Sequence, residues 1–175
     1  MLLTTAHKSA AERLDLDVTY AARRPWAPRR AQFAAWAAAA LSSAKLSSAA
    51  RPSSRLGSTA RPAAISVRVV GAARSRSLNA RYRQKDKPTN VLSFAGAGLS
   101  PDGRRLLGEL VICAPVVARE AQMQGKTRQA HWAHMTVHGV LHLLGFDHEH
   151  DAEARKMAAV EIQILDRLGF SDPYA

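Results

Sequence analysis

The sequence predicts an α+β domain: a small mixed sheet of about four strands packed with about five helices, with a long histidine-bearing helix in the C-terminal half. Three observations carry this. Short alternating or β-branched runs recur near residues 14–20, 65–70, 89–94 and 106–113. Segments with helical apolar spacing lie between them and dominate the last third of the chain. Gly and Pro separate the segments. The 175 residues favour one domain, taken as 1–175 with a flexible loop at 47–63.

In chain order, Leu14, Leu16, Val18 and Tyr20 alternate with Asp15, Asp17 and Thr19, a strand with one wet face. Pro25 and Pro28 punctuate the chain after it. From Arg30 to about Lys45 the chain is Ala-rich, with Phe33, Trp36, Ala40 and Leu41 spaced for an amphipathic helix. Residues 47–63 are rich in Ser, Arg, Pro and Gly, have no apolar period and read as a solvent loop. Ile65, Val67, Val69 and Val70 resume as a strand. Ser75 to Arg83 reads as a short helix capped by Ser75 or Ser77.

Thr89 to Phe94 reads as a strand, and Gly96 to Gly103 as a turn-rich connection. The next strand, Leu106 to Cys113, is expected to pair antiparallel with the one before it. Pro115 suits the first turn of a helix that runs to about Gln124 and stops at Gly125. Thr127 is placed to cap a long helix through Leu144, with Gly145 as its stop. Asp151 is placed to cap a last helix with Met157, Val160, Ile164 and Leu168 on its apolar face, ended by Gly169.

Lys and Arg number 25 against 14 Asp and Glu, a formal charge of +11. That balance favours an anionic partner, with nucleic acid the first candidate; solvated Arg-rich segments are the bland alternative. The lone Cys113 sits in an apolar run, so neither an internal disulfide nor a thiolate metal site is available and it reads as a small core residue. The opening segment lacks the basic start and apolar run of a signal peptide. No apolar run is long enough for a membrane span. A cytoplasmic protein without a membrane partner is expected.

The histidines are the informative feature. His131, His134, His138 and His142 share one helical stripe. A single buried His is more often a hydrogen-bonded core residue, but four on one stripe would be costly to bury without a metal or partners. His138, His142, Gly145 and His148 read H-x3-H-x2-G-x2-H. Two His one turn apart can aim at a common point, Gly145 can end the helix, and the returning chain can bring His148 in as a third ligand. Three imidazoles with an open position suit a catalytic zinc, one ion, although nickel, copper or iron also fit. His150 is the competing third ligand. His134 is expected to pack behind the site and His131 to be exposed near the helix start. Asp147 and Glu149 are candidates for orienting a ligand or acting as base, or else solubilise the turn. The spacing matches the metzincin peptidase pattern except that Gly139 stands where that pattern has its general-base Glu.

The segment His138–His148 resembles the H-G-x-L-H-L-x-G-Y/F-D-H signature of the YbeY family of bacterial endoribonucleases and rRNA maturation factors. Leu78–Phe94 is similar to the family's L-N-x-x-Y-R-x-x-D-x-P-T-N-V-L-S-F block, and Leu107–Cys113 to its G-D/E-I/L-V-I-C strand. His131–Met135 and the final Leu168–Tyr174 also look like family sequence, whereas residues 1–45 fit only loosely and 47–63 depart from the pattern. The resemblance implies a zinc-dependent single-strand endoribonuclease acting in rRNA processing, notably 16S rRNA 3′-end maturation, and in ribosome quality control. It implies His138, His142 and His148 as ligands, with Arg83 and the metal-bound His138 in the catalytic machinery. The planar fork of Arg83 suits phosphate, and Arg81, Lys85 and Lys87 extend the positive segment. The expected partner is RNA, rRNA or ribosomal particles. Two other readings compete: a ribosome-assembly RNA-binding factor with a structural zinc, and a metallopeptidase, against which Gly139 argues.

Overall fold

The computed structural model describes residues 14–22, 26–46, 62–146 and 150–175. Apolar alternation builds its sheet. β1 (Leu14–Tyr20), β2 (Ala63–Val70), β3 (Val91–Ala95) and β4 (Arg105–Cys113) lie in the order β1-β2-β4-β3. β1 and β2 are parallel, as are β2 and β4, while β3 runs antiparallel to β4 at one edge. β2 and β4 hold the middle and bury apolar residues on both faces, the pattern of an internal strand.

Five helices are described: α1 (Arg30–Leu46), α2 (Ala72–Arg83), α3 (Ala114–Met123), α4 (Arg128–Leu143) and α5 (Asp151–Arg167). Leu110 and Ile112 of β4 point into the larger core, shared with Phe33 and Trp36 of α1, Trp132 and Val137 of α4 and Ile164 of α5. Phe33 anchors it by edge-on contacts to Trp36 and Trp132, at 5.9 and 5.7 Å between ring centroids. Val111 and Cys113 point the other way, into a smaller cluster with Val70, Leu92 and Val116, over which Leu78 of α2 and Phe94 of β3 pack. The α+β class and the antiparallel β3–β4 pair stand as the sequence predicts, and Cys113 is buried.

Two caps differ from expectation. α2 begins at Ala72, and Gly71 occupies its cap position without a side-chain bond. Ser75 is inside the helix and buried, where its hydroxyl donates to Thr89 O at 2.8 Å and accepts from Thr89 N at 3.0 Å. It ties α2 to the approach of β3 instead of starting a helix. Asp151 is the first residue of α5, not its cap; His150 holds that position with no side-chain bond. Thr127 does cap α4, accepting from Ala130 N at 3.1 Å. Pro115 lies in the first turn of α3. Of the loop read at 47–63, residues 47–61 lie outside the described residues, and Ala63 already opens β2.

Candidate metal centre

α4 is placed by its two faces. Trp132, Val137, Val140 and Leu141 are fully buried in the large core. The histidine stripe is on the other side, facing α3 and α5. Gly139 shows why the two faces separate so cleanly. A Cβ there would lie 2.8 Å from Leu110 Cδ2 and 3.3 Å from Ser93 Oγ. Ser93 Oγ also donates to Gly139 O at 3.3 Å. The helix presses its backbone on the sheet at this point, and a glutamate would have to displace fully buried Leu110. A side chain at the position of the peptidase base would therefore clash with the sheet.

His138 Nδ1–H donates to Glu161 Oε1 at 2.7 Å. Because a carboxylate accepts at Nδ1, the proton is assigned there and Nε2 is left with its lone pair. His138 Nε2 lies 3.2 Å from His142 Nε2. Two nitrogens bound tetrahedrally to zinc at about 2.0–2.1 Å would be about 3.3 Å apart. The pair therefore fits a shared divalent ion. His148, with Asp147 and Glu149, lies outside the described residues. His150 is exposed at the start of α5.

Glu161 is fully buried, its carboxylate shared by three donors. Besides His138, His134 Nε2 lies 3.4 Å from Oε2, and the Tyr174 hydroxyl donates to the same oxygen. Burial alone would raise the Glu161 pKa; the hydrogen bonds from His134 and His138, the electrostatic pull of His138 and the Tyr174 hydroxyl outweigh it and bring it to about 2. Burial and the adjacent Glu161 charge push the Tyr174 phenol up, so it stays a donor. His134, His138 and Glu161 offer ligand atoms within 4.8 Å of one another and could themselves hold a metal. Against that use, both Glu161 oxygens are already engaged by imidazole and phenol donors. A carboxylate so held is better suited to orienting a ligand than to being one.

His134 is buried, its ring centroid 6.2 Å from that of His138, and His131 does not sit in solvent. It is 2% exposed, and its Nε2 lies 2.8 Å from Glu120 Oε2. Asn90 Nδ2 donates to the same carboxylate. Burial raises the Glu120 pKa, but the His131 and Asn90 hydrogen bonds override it and leave the pKa lowered. This network ties α3, α4 and the start of β3 together. A cavity of about 490 Å³ opens between it and His138, lined by Asn90, Glu120, Lys126, His134, His138 and Tyr174.

Arg83 is exposed in the last turn of α2, on the sheet face opposite α4. No hydrogen bond or ion pair joins it to the histidines among the described residues. Sequence reasoning missed Glu161 and Tyr174. Glu161 carried a signal: it falls four residues after Met157 and four before Leu165, an acid on a buried stripe. Tyr174 lies beyond the last helix and had none.

The family model for "Endoribonuclease YbeY" matches residues 29–169. Two proteins called Endoribonuclease YbeY, from Stenotrophomonas maltophilia strains R551-3 and K279a, are each 50% identical over 168 residues, covering 93% of this chain and 94% of theirs. The solution structure of TM1509 from Thermotoga maritima superposes with a TM-score of 0.53 at 19% identity, over 88% of this chain and 89% of that one. That likeness concerns the fold.

Proposed function

The chain belongs to the YbeY endoribonuclease family, and on that premise we propose that it is a zinc-dependent enzyme cutting single-stranded rRNA, in 16S rRNA 3′-end maturation and ribosome quality control. The supporting observation is the 3.2 Å approach of His138 Nε2 and His142 Nε2, with Glu161 holding the far nitrogen of His138. Among the described residues no helix is long and apolar enough to cross a membrane. The cytoplasm, where ribosomes mature, is the compartment this function requires.

In this reading His138, His142 and His148 would hold one ion; Gly145, at φ +90°, ends α4 three residues before His148 in the sequence. Such an ion supplies a polarised water and Lewis-acid stabilisation of the phosphoryl oxygens. Glu161 fixes the His138 ring and its tautomer through Nδ1. Tyr174 and His134 fix Glu161 in turn. Arg83 offers two parallel donors to a phosphate of the bound strand. The formal charge of +11 draws the polyanion in.

The test is a cleavage assay on short unstructured RNA with metal analysis of the same sample. Cleavage should stop with a chelator and return with zinc. Undiminished cutting in chelator would overturn the reading. Association with rRNA but no cutting under any metal supply would favour a binding factor with structural zinc.

A further inference from the structure

α2 ends at the sheet's edge with an aromatic ring that the fold leaves outside. Tyr82 is 56% exposed, although aromatics make up only 6% of the chain and Phe33, Trp36 and Trp132 are spent on the core. Its ring is held: it meets Phe94 of the edge strand β3 edge-on, with centroids 4.9 Å apart and planes at 67°. The Arg81 guanidinium carbon lies 5.4 Å from the Tyr82 ring centroid. Arg83 and Lys85, both exposed, come next in the chain. Leaving such a ring in water forgoes hydrophobic burial, and a positioned ring among cations is the combination by which proteins hold unpaired bases.

We infer that Tyr82 is a stacking platform for an unpaired nucleobase of single-stranded RNA, with Arg81, Arg83 and Lys85 following the phosphates on either side. The inference rests on the ribonuclease reading and adds how the strand is held before it is cut. Its placement suits the task. Phe94, under Tyr82, and Ser93, which donates to Gly139 O beside His138, are neighbours on β3 that face opposite ways. β3 is one of the two edge strands of the described sheet. A strand stacked on Tyr82 therefore reaches the histidine helix by crossing one sheet edge.

The competing role for Tyr82 is cover for Phe94, and leucine separates the two. Tyr82→Leu keeps an apolar lid but removes the π-face; Tyr82→Phe keeps the ring. The probe is a short labelled 2′-O-methyl oligoadenosine, which resists transfer through the 2′-hydroxyl, read by fluorescence anisotropy at one fixed salt. An abasic strand of the same length and backbone is the control. The wild-type protein should bind the base-bearing strand more tightly than the abasic one. Tyr82→Leu and Tyr82→Ala should lose about tenfold on the base-bearing strand and nothing on the abasic one. Tyr82→Phe should bind like wild type, and zinc content should be unchanged throughout. If Tyr82→Ala unfolds, the leucine variant carries the test. Wild-type affinity in Tyr82→Leu, or equal wild-type affinity for both strands, overturns the platform. If RNA is still cut in that case, the platform falls alone. If the wild type neither binds nor cuts RNA, the ribonuclease reading falls with it.

Discussion

Glu161 Oε1 accepts a hydrogen bond from His138 Nδ1 at 2.7 Å, and the Glu161 side chain is wholly enclosed. A buried carboxylate at Nδ1 assigns the proton to that nitrogen, which leaves Nε2 of His138 as the nitrogen available to a metal. The geometry at α4 and α5 is organised around this pair.

Glu161→Gln should weaken zinc binding by about tenfold to a hundredfold without abolishing it, because it alters the orienting partner and spares the ligands. His142→Ala should remove stoichiometric zinc. Competition with a chromophoric chelator reads both. If Glu161→Gln loses metal as completely as His142→Ala, then Glu161 is itself a ligand, in the His134–His138–Glu161 set.

Tyr174→Phe removes a hydroxyl that donates to the buried carboxylate. Hydrogen bonds to charged groups contribute about 1.5–3 kcal/mol, and the ring is half exposed, so a loss of about 1–2 kcal/mol is expected. Urea unfolding of the metal-free protein measures it. An unchanged midpoint would mean that the tail does not hold Glu161.

Acid should destabilise the metal-free fold through Glu161. Its folded pKa is depressed from 4.5 to about 2. Its contribution is therefore complete above the unfolded value of 4.5 and is lost as pH falls from 4.5 towards 2, a difference on the order of 3 kcal/mol. Unfolding free energy against pH for wild type and Glu161→Gln should diverge above that window and converge at its acid end. Parallel curves through the window would contradict the assignment.

Gly139→Glu should cost at least about 3 kcal/mol, since it crowds Leu110 and buries a carboxylate against the sheet. It should yield no peptidase. A stable variant that cleaves peptides with zinc would reverse the packing argument.

The sequence made most of the fold legible because local signals agreed with it. The alternation of Leu14–Tyr20 and the Thr127 cap with its Gly145 stop each found their elements. The helix starts at α2 and α5 were misread because Ser75 and Asp151 look like caps. Ser75 instead serves a contact fourteen residues away, which no local pattern encodes. At the site, the His138–His142 pair came from helical period alone. The His131–Glu120 and Glu161–Tyr174 contacts join separate elements, so only the folded chain brings them together. Gly139 was legible as a missing base, but the close approach of α4 to Leu110 at that position was not.

The most direct measurement is zinc content and RNA cleavage on the same preparations of wild type and folded His142→Ala. About one zinc per wild-type chain is expected, with cutting that depends on it, and metal and cleavage lost together in the variant. A His142→Ala protein that holds no zinc yet cuts RNA at the wild-type rate would contradict this expectation.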